Sequence, residues 1–100
     1  MVHTEPIKIG DYTCYGISVQ LHQTNLLTIS APKGYIMCGL LAVERLDSLH
    51  PEREVVAARV TGVKSFQEML TQKIDAVTRA AKGRGIVEGM TGSEALKKMF

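Results

Sequence analysis

The sequence has almost no excess charge, few cysteines and no long apolar run. Lys plus Arg number 12 against 10 Asp plus Glu, a formal charge of +2 over 100 residues. Domains that bind phosphate backbones gather a strong basic excess on one face, so this balance speaks against nucleic acid as a partner. Cys14 and Cys38 are too few and too irregularly placed for the disulfide scaffold of a small secreted domain. Free thiols in a reducing compartment are the expectation, and with them a cytoplasmic location. No stretch approaches the roughly 20 apolar residues that a membrane span requires. The opening Met1-Val2-His3-Thr4-Glu5-Pro6 carries neither the basic start nor the apolar run of a signal peptide. There is no internal repeat, low-complexity tract or linker, so a single domain over residues 1–100 is expected.

What is present is a globular composition, 45% apolar, with charge distributed unevenly. Residues 1–40 hold only Glu5, Lys8, Asp11 and Lys33, whereas the rest of the chain holds every other ionised side chain. The charge-poor half has the pattern of a sheet. Pro6 to Ile9 reads as a strand, and Gly10-Asp11 has the Gly-X form of a two-residue hairpin turn. Tyr15, Ile17, Val19 and Leu21 alternate with Gly16, Ser18, Gln20 and His22, the period of two that marks a strand with unlike faces. Leu26 to Ser30 and Tyr35 to Cys38 add two more strands around a Pro32-Lys33-Gly34 turn. Short connections between four strands predict an antiparallel meander.

After Gly39 the period changes. Leu40, Leu41, Val43, Leu46 and Leu49 have helical spacing, with His50-Pro51 as the stop. Val55 to Val63 is a nearly continuous apolar run, read as a central strand covered on both faces. Ser65 to Glu68 has capping-box spacing, and Phe66, Met69, Leu70, Ile74, Val77, Ala80 and Ala81 continue a 3.6-residue stripe, either one long helix or two short ones in line. Gly83 and Gly85 end it, Ile86-Val87 is an extended link, and a second capping box at Thr91 to Glu94 opens a last helix. The predicted fold is α+β: an N-terminal antiparallel meander plus one further strand, with three or four helices packed on one face.

Two segments carry a resemblance, Gly34-Tyr35-Ile36-Met37-Cys38-Gly39 and the longer Gly85 to Leu96, supported by Thr24-Asn25-Leu26 and Gly62-Val63. Here the sequence resembles the YunC-like family of small bacterial and archaeal domains, over nearly the whole chain. The resemblance implies the fold and an N-terminal β region, residues 1–39, used in tetramerisation, followed by a helix-strand-helix region over 40–100. It implies no activity. The residues themselves point to self-association too. One face of the second strand, with Cys14, Gly16, Ser18, Gln20 and His22, has no charge, whereas exposed sheets usually guard themselves with it. That face is expected to meet a second copy, with the helices on the Tyr15 side; a solvated, uncharged polar face is the alternative.

Chemistry has few candidates. Cys38 ends a strand just before a glycine that opens the predicted helix, where unpaired N–H groups would favour a thiolate. A nucleophilic role needs a base, which only the fold could bring from His22 or His50, and a small buried hydrophobe is the plainer role. The segment from Gly34 to Gly39 lacks the P-loop and dinucleotide fingerprints, which leaves a small anionic ligand as the remaining class, with Thr24, Asn25, Gly34, Gly39 and Arg59 as candidate contacts. Arg59 lies inside an apolar strand and must reach a carboxylate, a ligand or solvent. His3, Cys14, His22, Cys38 and His50 show no metal-ligand spacing, so neither a metal nor another cofactor is expected. Lys73, Arg79, Lys82 and Arg84, diluted by Asp75, read as a solvated helix face.

Overall fold

The computed structural model describes residues 1–39 and 55–100. The helix predicted from Leu40 to Leu49, and its stop at His50-Pro51, lie outside the described residues. Within them the fold is α+β, as the pattern predicts. A six-stranded sheet follows chain order: β1 (Val2–Ile9), β2 (Tyr12–Leu21), β3 (Thr24–Ala31), β4 (Gly34–Met37), β5 (Ala57–Arg59) and β6 (Ala76–Val77). β1 to β4 form the antiparallel meander, β5 lies parallel to β4, and β6 returns antiparallel to β5. Among the described residues three helices accompany it: α1 (Phe66–Thr71), α2 (Arg79–Gly83) and α3 (Gly92–Lys97).

The turns form for the reasons legible in the sequence. Gly10 takes φ +61 while Asp11 does not go positive, the first-position glycine of a type II′ hairpin, whose twist matches its strands. Pro32 and Lys33 link Ala31 to its ladder partner Gly34. Thr91 and Glu94 form the predicted capping box, each side chain bonded to the other's backbone N–H. Ser65 caps α1 through the Glu68 N–H at 3.1 Å, but the Glu68 carboxylate reaches past it to the Lys64 N–H at 2.8 Å.

Three expectations are corrected. The long stripe from Phe66 to Ala81 is not continuous helix. α1 stops at Gln72, whose backbone is extended, and the chain returns to the sheet at Ala76–Val77. The Asp75 N–H donates to the Arg59 carbonyl and the Thr78 N–H to the Ala57 carbonyl. β-Branched Ile74, Val77 and Thr78 tolerate this better than helix. The buried Thr78 then does two jobs. Its hydroxyl donates to the Val55 carbonyl at 2.6 Å, and its oxygen accepts from the N–H groups of Ala57 and Ala81, capping α2. The strand predicted over Val55 to Val63 narrows to Ala57–Arg59, because Gly62 turns the chain at φ +81. Ala57 and Ala58, on opposite sides, are both fully buried, so the two-sided covering holds for this core of the strand.

The third correction concerns the faces of the meander. Cys14 and Gly16 point inward, where a Cβ on Gly16 would meet Ile7 Cδ1 and the Phe66 ring within 3.0 Å. The helices therefore pack on the face of small residues, and Tyr15, Ile17, Val19 and Leu21 point away from them. Small side chains let α1 lie close against β2. The core sits between that inner face and the helices, and includes Ile29, Ile36, Met69, Ile86, Leu96 and Met99.

Candidate functional site

Strand direction decides which candidates meet. β4 and β5 run parallel and end at the same edge of the sheet where β3 begins and β6 begins. Cys38, Gly39, Arg59, Thr24 and Asn25 consequently share that end, and Gly34 lies at the opposite end of β4. Gly34 has a packing role: a Cβ there would meet the Val56 carbonyl oxygen and the Met99 sulfur within 2.9 Å.

Cys38 extends the β3–β4 ladder by one residue, its N–H donating to the Leu27 carbonyl at 3.0 Å. Cys38 is 6% exposed, and its sulfur accepts a long bond from the Leu27 N–H at 3.5 Å. Leu27 pairs with Ser18, and Ser18 with His3. His3 thus lies three strands from Cys38, about 14 Å at the usual strand spacing. His22 occupies the β2–β3 turn, and His50 is outside the described residues. Cys14 is also free and buried, and burial pushes its thiol pKa up, which keeps it protonated.

Arg59 reaches a carboxylate. Its Nε donates to Asp75 Oδ1 at 2.7 Å, while Asp75 Oδ2 accepts from the Thr61 N–H at 3.1 Å. Partial burial alone would raise the Asp75 carboxyl, but hydrogen bonds from Thr61 and Arg59 together with the Arg59 charge outweigh it and hold its pKa below the usual value. Thr61 also borders Gly39, where a Cβ would come within 3.3 Å of Thr61 Cγ2. The site therefore adds Thr61 and Asp75 to the predicted residues. Nothing in the sequence marked Asp75, which there serves only to dilute a row of basic residues.

Thr24 and Asn25 are exposed at the β2–β3 hairpin. With Gln20, Leu21 and Gln23 they line an open concavity of about 390 Å³. Gln23 holds φ +56, a left-handed conformation uncommon outside glycine and asparagine. Among the described residues no group of three His, Cys, Asp or Glu side chains stands close enough to hold a metal ion.

Among the described residues the architecture is a six-stranded sheet in chain order with one parallel pair, β4–β5. The chain belongs to the DUF1805 family, a domain of unknown function whose pattern matches residues 37–99. Among its relatives is the uncharacterised protein YunC of Bacillus subtilis (strain 168), 40% identical over 100 residues, covering all of this chain and 99% of YunC. The crystal structure of TA1206, a protein of unknown function from Thermoplasma acidophilum, superposes with a TM-score of 0.87 at 30% identity, covering all of this chain and 94% of that one.

Proposed function

We propose that this chain is a self-assembling structural domain of the cytoplasm whose copies meet through the outer face of β1 to β3. One observation carries the reading: on that face Tyr15 is 58% exposed, Leu21 55% and Val2 65%, and among the described residues no element packs over them. Ladder pairing sets Val2, Thr4 and Pro6 beside Val19, Ile17 and Tyr15, and Leu26 and Thr28 on the other side. Lys8 is the only ionised side chain in these rows. Contiguous apolar surface of this kind, unguarded by charge, marks an interaction site on a folded protein. The two buried free thiols support a reducing compartment. The family resemblance supports a tetramer as the assembled state.

Light scattering at micromolar concentration is expected to give two or four times the monomer mass, and Ile17→Lys to reduce it, because a lysine at the centre of the face would be buried unpaired. Gln67→Lys, on the exposed side of α1, is the control expected to leave the mass unchanged. A monomer mass for the unaltered protein would overturn the reading.

A small anionic ligand is the second reading, favoured by the gathering of Cys38, Gly39, Arg59 and Thr61 at the carboxyl ends of the parallel strands β4 and β5. Ligands of open sheets commonly bind at such ends. Here an anion must displace Asp75 from Arg59, so binding is expected to be weak.

A further inference from the structure

Among the described residues β1 is the long free edge of the sheet, eight residues against two in β6 at the other side. Its hydrogen-bonding phase follows from its start. Met1 and Gln20 exchange both backbone bonds: the Gln20 N–H donates to the Met1 carbonyl at 2.8 Å, and the Met1 ammonium to the Gln20 carbonyl at 3.4 Å. Bonded and non-bonded pairs alternate along an antiparallel ladder, and the register runs unbroken from Val2 opposite Val19 to Ile9 opposite Tyr12. His3, Glu5, Ile7 and Ile9 therefore direct their backbone groups at β2. Val2, Thr4, Pro6 and Lys8 direct theirs outward. The two-residue turn agrees, since the pair that closes such a turn is a bonded one, here Ile9 and Tyr12.

Pro6 stands at an outward position, where its missing N–H takes nothing from the ladder to β2. One residue to either side, it would remove a bond. On the free edge it interrupts the row of donors midway between Thr4 and Lys8. A second β1 laid antiparallel about a two-fold at Glu5 sets Thr4 against Pro6 in both central pairs, so each loses a donor where the ladder would nucleate.

We propose that Pro6 is an edge guard, which prevents the β1 strands of two copies from joining into one continuous sheet. Edge strands left unguarded template further pairing, and proline and lysine are the residues that blunt them. Lys8 adds charge at the same edge. The guard does not depend on association through the outer face; because Pro6 also lies on that face, growth with time and dye binding, not the resting mass, read the guard.

The test is Pro6→Val and Pro6→Thr, followed by light scattering and thioflavin T binding over days of incubation. Both variants are expected to form species that grow with time and concentration and bind the dye, while the unaltered protein keeps a constant mass. Thr4→Pro added to Pro6→Val is expected to abolish that growth, because position 4 faces the same free edge. Glu5→Pro alone should instead lower the unfolding midpoint, because position 5 bonds to β2. The proposal is overturned if both Pro6 variants keep the size distribution of the unaltered protein. It is equally overturned if only the valine variant grows, which would assign the effect to apolar surface, or if Thr4→Pro fails to reverse growth.

Discussion

The glycines that mark the family report backbone geometry and close packing. A Cβ on Gly92 would fall on the Met69 carbonyl, because the start of α3 is pressed against the end of α1, and the Gly92 N–H donates to the Gln72 carbonyl there. Gly89 holds φ +97 in the turn before it, a conformation costly for other residues. Gly83 is different: it lies exposed in α2, with open space where a side chain would go. Gly92→Ala is therefore expected to cost about 3 kcal/mol or more, since backbone must move to admit one methyl group. Gly83→Ala should add roughly 0.5–1 kcal/mol by restricting the unfolded chain. Urea unfolding midpoints of the two variants, moving in opposite directions, check both. Sequence showed the glycines of the 85–96 segment as a family mark but could not divide them by role, because the neighbour that excludes a side chain is 23 residues away at Met69.

Between elements, the Arg59–Asp75 pair ties β5 to the entry of β6. Asp75 has its pKa lowered by folding, so its contribution to stability is complete above the unfolded-state value of about 3.9 and is lost as pH falls through the lower, folded-state value. The unfolding midpoint should consequently fall more steeply with acidification below about pH 4 in the unaltered protein than in Asp75→Asn, which starts lower and has nothing there to titrate. Parallel slopes from thermal melts in this range would show that the pair is unimportant. This same region is where the helical stripe misled. Phe66, Met69 and Leu70 lie on α1, Ile74 in the extended link after it, and Val77 on β6. Met69, Ile74 and Val77 are buried and Phe66 and Leu70 pack against them, and a period of 3.6 fits the five by coincidence. What separates them is the set of backbone bonds from Asp75 and Thr78 to β5, long-range pairing that local spacing cannot register.

At the scale of the whole molecule, alternation along β2 marks the strand, yet the side expected to face the core, that of Tyr15, is the outer one. Apolar residues on one face and small uncharged ones on the other satisfy the pattern either way; the decision lies with Phe66, 50 residues on, which needs the room that Gly16 leaves. The candidate site was legible in part: Cys38, Gly39 and Arg59 come together, Gly34 does not, and the Asp75 partner needed the fold. The C-terminal residues also close on the turns of the meander. Phe100 stacks on Tyr12 with ring centroids 4.6 Å apart, and the Met99 carbonyl accepts the Lys33 N–H at 2.8 Å above a fully buried Met99 side chain. Phe100→Ala should cost about 1–2 kcal/mol, read as a shift in urea midpoint, through loss of the ring contact and part of its burial. That closure also bears on synthesis. As the chain leaves the ribosome each later strand of the meander emerges beside a partner already made, so hairpins can form early; but the inner face stays wet until α1 covers β2 and, later still, α3 and Met99 cover β4. Translation thus delivers the meander first and its last cover at the end, and a nascent chain stalled before residue 92 would present part of its apolar core to chaperones.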